Sequence, residues 1–317
     1  MSPSESVDLS VSLAGIGLKN PIIAASGTFG YGVEFEDIVS LEKIGGFVTK
    51  GISREPMAGN QSPRLIETAA GMINAIGLQN IGVDAFLEKR LPALRRYPKC
   101  AVIVNVFGST VDDYLAVIRK LNEAEGIAAY ELNASCPNTA HGGMVFGTDP
   151  LALDELVARA KHASRRRVIV KLSPNVTSIA AMAKCAETAG ADALSLVNTF
   201  VALSIDVETR RPRVANVTGG LSGPAIKPIA VRMVWEAASA VSIPVMGLGG
   251  ITTPEDAIEF LLAGAAAVQV GTASYADPRA VQRIAKGLES WCTRHHIENV
   301  WNLVRKLDTS PQRPAST

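Results

Sequence analysis

The residue with the clearest chemical potential is a cysteine. It stands in the run Glu131-Leu132-Asn133-Ala134-Ser135-Cys136-Pro137-Asn138, where an oily stretch gives way to a polar loop. A free thiol has a pKa near ~8.5, so a modest environmental shift lets it act near neutral pH. In such a loop Cys136 can serve as a nucleophile or as a base that removes a proton. Only His141 is close in sequence, and beside Gly142-Gly143 it reads as a loop residue more than as half of a Cys–His pair. The other cysteines, Cys100, Cys185 and Cys292, read as small buried hydrophobes.

A second set of polar residues stands at the ends of otherwise apolar runs: Ser26, Lys50, Asn105, Asn133, Lys171 and Asn198, followed by the pairs Gly249-Gly250 and Gly271-Thr272. Burying an amide or an ammonium without a partner costs on the order of a few kcal/mol, so such residues meet a polar ligand or each other. Two lysines and three asparagines at these ends predict a ligand site. The turns Leu248-Gly249-Gly250-Ile251-Thr252 and Val270-Gly271-Thr272-Ala273 are of one kind. Glycine there lets backbone N–H groups approach an anion such as phosphate; the plain alternative is a tight turn that needs a positive φ. A phosphate site with no metal-ligand cluster nearby points to a phosphorylated cofactor rather than a nucleotide–Mg²⁺ site.

The apolar runs lie at 21–25, 46–50, 101–107, 130–133, 168–172, 193–198, 244–248 and 267–270. They are mostly continuously apolar, as strands of a parallel sheet buried on both faces are. Helix patterns separate them, among them 83–96, 111–124, 151–163, 177–189, 225–240 and 254–263. Thr148-Asp149-Pro150 and Thr253-Pro254-Glu255 are helix starts, and Gly190 and Gly264 are helix stops. Eight strands, mostly followed by helices, predict an α/β fold of the (β/α)8 TIM barrel type, whose chemistry sits at the C-terminal strand ends. The rival, an open dinucleotide-binding sheet, calls for G-x-G-x-x-G after its first strand. Ala25-Ser26-Gly27-Thr28-Phe29-Gly30 does not fit.

Residues 7–18 alternate in polarity and predict a hairpin that closes the lower mouth of the barrel. Two strand-to-strand intervals are long, so 51–82 and 199–223 read as inserted loops at the C-terminal face, acting as lids or substrate-binding elements. The first contains Asn74-Ala75-Ile76-Gly77-Leu78-Gln79-Asn80, whose asparagines are odd within an apolar turn. The expected organisation is one domain over 1–306 and a polar, proline-containing, disordered tail over 307–317.

Composition narrows the class. A chain of 317 residues, 47% hydrophobic and 19% charged, is long and oily enough for one large barrel core. A net charge of +1 gives no field to draw nucleic acid or an anionic membrane, and Arg165-Arg166-Arg167 and Arg210-Arg211 read as solvated loop charges. The cysteines are far apart, with no C-x-x-C, so a disulfide framework, a zinc site or an iron–sulfur cluster within the chain is not expected. The start, MSPSESVDLS, has neither a basic cluster nor an apolar run, and no apolar stretch reaches the roughly 18 residues of a membrane span. These features predict a cytoplasmic protein.

The run ELN-x-SCPN, with NAIGLQN before it and VKLSPNVT, VNT, TGGLSGPAIKP, GLGG and VGTA after it, resembles the class 1 dihydroorotate dehydrogenases. The likeness runs from Leu18-Lys19-Asn20-Pro21 to the last barrel strand, with the motifs in the family's order. The loop Asn138 to Gly143, Asn-x-x-His-Gly-Gly, is similar to that of type B catalytic subunits, which work with a second, electron-transferring subunit. The fumarate-using type carries a proline- and lysine-containing loop there, and the quinone-reducing class 2 uses serine as its base.

The resemblance implies oxidation of dihydroorotate to orotate in pyrimidine biosynthesis, with one non-covalent FMN per chain. Hydride would pass from C6 to flavin N5, and the proton from C5 to Cys136. Substrate would be bound by Lys50, Asn74, Ala75, Ile76, Gly77, Leu78, Asn133, Asn138, Asn198 and Thr199. FMN would be held by Ser26, Lys50, Gly51, Asn105, Asn133, Lys171, Val197 and Gly223, with Gly249, Gly250, Gly271 and Thr272 at its phosphate. Lys171 would stand near flavin N1 and O2. FAD and a 2Fe-2S cluster would lie only on the partner, around a homodimer of this chain, with NAD as final acceptor. The alternatives are a fumarate-reducing class 1 enzyme, a dihydropyrimidine dehydrogenase-like flavoenzyme, and a noncatalytic barrel that binds a phosphorylated ligand.

Overall fold

The computed structural model describes residues 7–134 and 146–310. Eight parallel strands close a barrel in chain order: Ile22–Ala24, Gly46–Val48, Ala101–Val106, Ala129–Asn133, Arg167–Lys171, Ala193–Leu196, Val245–Leu248 and Ala267–Val270. Closure comes from the pairing of the last strand with the first, Val268 opposite Ile22 and Val270 opposite Ala24. Every residue of most of these strands is buried, because one face packs inside the barrel and the other against helices. The expected barrel is therefore present, and each strand lies within two residues of its predicted span.

The helices follow local chemistry. Val111–Asn122 and Pro254–Ala263 each open on a capping box, Thr110 with Asp113 and Thr253 with Asp256, and Gly264 ends the second in a left-handed turn. The helix expected over 83–96 is divided into Gly82–Lys89 and Leu91–Leu94. Pro92 has no N–H to give the preceding turn, so the first helix stops at Arg90 and a second begins. The span expected to start at 225 is a short 3₁₀ turn, Pro224–Ile226, followed by the helix Lys227–Ala240, with proline in the first turn of each. Ala280–Arg294 completes the outer ring, burying Val281, Ile284, Ala285, Leu288 and Cys292 at helical spacing.

The N-terminal hairpin, Val11–Leu13 paired with Ile16–Leu18, lies at the lower mouth as expected: Gly15 packs by the guanidinium of Arg167, which begins the fifth strand. Leu13 and Leu18 turn inward to the core. At the far end of the chain the Leu307 N–H donates to the Leu262 carbonyl, and most of the tail expected over 307–317 lies outside the described residues.

The two inserts correct the sequence reading. They are not free loops but halves of one antiparallel sheet, in the order Phe200–Leu203, Thr218–Ser222, Gly71–Asn74, Leu65–Thr68. The central pairing, Gly220 opposite Asn74 and Ser222 opposite Met72, joins segments almost 150 residues apart. This sheet stands over the C-terminal end of the barrel. No helix among the described residues is long and apolar enough to cross a membrane.

Candidate active site

Strand ends and inserts enclose one cavity at the C-terminal mouth. From the barrel it is lined by Ser26, Lys50, Gly51, Asn133, Lys171 and Val197; from the inserts by Asn74, Ile76, Gly77, Leu78 and Gly223. Asn198 and Thr199, leaving the sixth strand, and the turns Gly249-Gly250 and Gly271-Thr272 complete the expected set. Ala75 is buried behind the lining, and Asn105 lies beneath it, fully buried. Cys136, Asn138 and His141 lie outside the described residues.

The local structure shows how each group is presented. Ser26 is tied across two strands, its hydroxyl donating to the Thr49 carbonyl at 2.8 Å. The Asn198 carboxamide spans toward Asn133, Nδ2 to Oδ1 at 3.4 Å, and its oxygen accepts from the Thr199 N–H at 2.9 Å. Asn74 donates to the Gly220 carbonyl at 3.3 Å, which holds it at the seam of the insert sheet. The two odd asparagines of the first insert therefore differ. Asn80 is buried and purely a brace, bonded to Ser53, Gly82 and the Leu78 carbonyl, whereas Asn74 faces the cavity.

The glycine turns separate into two kinds. Gly249 and Gly250 have φ of 128° and 81°, a backbone that side chains rarely adopt, so the structural explanation suffices for them. Gly271 has no positive φ, and a Cβ there would make only an ordinary 3.4 Å contact with Ala25. Neither backbone strain nor crowding therefore requires glycine at 271, which leaves its backbone open to the cavity.

Sequence reasoning missed several lining residues, among them Ser222, Gln269 and Tyr275. Ser222 accepts a hydrogen bond from the Thr272 hydroxyl at 2.8 Å, which joins the insert sheet to the last barrel turn. Ser222 had no signal within a glycine-rich insert. Gln269 had one: it is a single amide inside an apolar strand.

Electrostatically the cavity is one-sided. Its described lining contains two lysines and no acidic residue. Burial first, then the charge of Arg64, holds the Lys50 ammonium below the usual lysine range. Lys171 is buried with its ammonium 3.8 Å from the Glu131 carboxylate. Burial pushes the Cys100 thiol up to about 12, and those of Cys185 and Cys292 upward as well. Cys100 and Cys292 are buried as expected, while Cys185 is half-exposed and donates to the Pro150 carbonyl.

A family model described as dihydroorotate dehydrogenase matches residues 8–291. The chain belongs to the dihydroorotate dehydrogenase family. Among its relatives is a Solibacter usitatus protein, 58% identical over 94% of this chain and 98% of its own length, named provisionally as dihydroorotate dehydrogenase A (fumarate). A Geobacter sp. (strain M21) protein is 54% identical and one from Geobacter sulfurreducens 55%, each over 95% of this chain and 98% of the relative. Both are named dihydroorotate dehydrogenase B (NAD(+)), catalytic subunit.

The family depends on a flavin, and this cavity fits FMN. A phosphate would meet the Gly271-Thr272 turn and the Ser222 hydroxyl. The two lysines match the charge of an anionic cofactor. Two buried acceptors, Asn105 Oδ1 and Gln269 Oε1, have no partner among the described residues, as expected where a ligand supplies the donor.

Proposed function

We propose that this chain oxidises dihydroorotate to orotate with FMN bound at the strand ends, and hands the electrons to a partner subunit that carries FAD and a 2Fe-2S cluster and reduces NAD. The observation that carries the reading is the cavity itself: two lysines, no acid among its described lining, and bare backbone at Gly271. Both dihydroorotate and FMN are anions, so one site of this charge suits both.

When bound, FMN supplies a hydride acceptor beside C6 of the substrate. The work of the chain is to hold the substrate and move a proton. Asn74, Asn133, Asn138 and Asn198 offer carboxamides, which pair with both donors and acceptors on the ring edges. Thr199 and the backbone of 75–78 close over it, and Lys50 opposes its carboxylate. Cys136 takes the proton from C5, since a thiolate is available at modest cost near neutral pH. Lys171 sits on the cavity floor, where its positive charge would favour the reduced, more negative form of a bound flavin. Ser26, Gly51, Asn105, Val197 and Gly223 hold the flavin, and Gly249, Gly250, Gly271 and Thr272 its phosphate. We assign 1–306 to one such domain working in the cytoplasm as a homodimer core.

Anaerobic addition of dihydroorotate to the purified yellow protein should bleach its flavin absorbance, and dihydrouracil should not. A colourless protein that binds no FMN would overturn the flavin reading. Bleaching by dihydrouracil alone would turn the substrate into a plain dihydropyrimidine.

A further inference from the structure

The floor of the cavity rests on a carboxylate that the chemistry above does not use. Glu131 stands two residues before Asn133 on the fourth strand, so both side chains enter the barrel, Glu131 one layer lower. It is 0% exposed. Donors from three other strands converge on its two oxygens: Asn105 Nδ2 at 2.8 Å, the Ser195 hydroxyl at 2.8 Å and Gln269 Nε2 at 2.7 Å. Lys171 from the fifth strand stands 3.8 Å away.

A carboxylate only accepts hydrogen bonds, so it decides which end of each neighbouring carboxamide faces it. Asn105 and Gln269 must both turn their NH₂ groups to Glu131. Their oxygens are then left over, and both are buried without a partner among the described residues. Gln269 lines the cavity, and Asn105 Oδ1 lies 3.0 Å from where a Cβ on cavity-lining Gly51 would stand. An apolar residue at 131 would leave either amide free to present its NH₂ instead.

We propose that Glu131 is a positioning residue that sets the polarity of the flavin site: it anchors the Lys171 ammonium under the cavity and turns Gln269 and Asn105 so that their oxygens are offered to an N–H donor on the ligand. Gln269 thereby becomes a further cofactor-binding residue. The inference rests on the flavin reading of the cavity.

Glu131→Gln is the direct test, because it keeps the shape and removes the charge. Its own NH₂ would face other donors, so one carboxamide must turn over, and Lys171 loses its counter-charge. Reduced FMN should then be held about tenfold more tightly relative to oxidised FMN, which raises the two-electron midpoint potential by about 30 mV. Lys171→Ala removes the opposite charge and should lower the potential. Ser195→Ala, which deletes one donor and leaves the carboxylate, should lower the thermal midpoint and leave the potential where the wild type has it. Gln269→Met should raise the FMN dissociation constant about tenfold even if Glu131→Gln does not fold. A folded Glu131→Gln with an unchanged potential, or a Gln269→Met with unchanged FMN affinity, overturns the proposal. Failure of the wild-type chain to bind FMN would instead overturn the reading on which it rests.

Discussion

At the scale of single residues the site divides its labour by side-chain type. Amides, which can donate and accept, stand where a ring with both kinds of edge would lie, and cations stand where charge must be balanced. In the proposed reaction Cys136 is the base that takes the proton from C5. Cys136→Ala should therefore retain FMN, because the phosphate turn and the floor are intact, yet lose most flavin reduction by dihydroorotate. Cys136→Ser should be slow and improve as pH rises, because a hydroxyl is a much weaker acid than a thiol. Stopped-flow reduction of the Ala variant at the wild-type rate would remove Cys136 from the role of base. The contrast with Cys100 is instructive: burial there pushes the thiol to about 12, far from any use as a base at neutral pH.

At the scale of elements, legibility tracks locality. The barrel strands are legible because a strand buried on both faces must be apolar throughout, and that pattern needs no knowledge of its neighbours. Strand-end polar residues are legible for the converse reason: Lys171 interrupts Val168-Ile169-Val170 and must answer to something polar. The insert sheet is not legible, because Asn74 meets Gly220 across 146 positions of sequence and its strands are short. Glu131, Ser195 and Gln269 each stand alone in an apolar run. Each betrays a partner, but only closure of the barrel shows that the partner is shared.

The start of the helix Pro254–Ala263 joins local chemistry to the site. Asp256 accepts from the Thr252 N–H and hydroxyl, at 2.8 and 2.9 Å, and from Lys227 at 2.6 Å, so it fastens the Gly249-Gly250 turn. Burial raises its carboxyl, but Lys227 and the Thr252 and Thr253 donors outweigh that and hold it at about 2, below the ordinary 3.8. A depressed carboxyl contributes stability that is complete above the unfolded value and lost as pH falls through the folded one. Asp256→Asn should therefore cost roughly 2 kcal/mol at pH 7 and about half that at pH 3. Denaturant unfolding at the two pH values measures this, and an equal gap at both would show that the carboxylate charge is not what fastens the turn.

At the scale of the whole molecule the question is where the electrons leave. The relatives named for NAD(+) and for fumarate share this chain's length and more than half of its residues, so overall likeness does not choose between acceptors. The sequence offers two local arguments. The loop Asn138 to Gly143 is similar to that of the type B catalytic subunits, and no G-x-G-x-x-G fingerprint follows the first strand to bind a dinucleotide directly. Within the barrel, the described lining residues build no site for a dinucleotide. The purified chain, supplied with dihydroorotate, should therefore reduce artificial dyes but barely reduce NAD⁺, and NAD⁺ reduction should appear on adding a partner subunit bearing FAD and an iron–sulfur cluster. Offering NAD⁺, fumarate and a soluble quinone in turn to the isolated chain decides the matter. Rapid turnover on fumarate would place the protein with the fumarate-named relative, and rapid turnover on NAD⁺ alone would mean that reoxidation needs no second subunit.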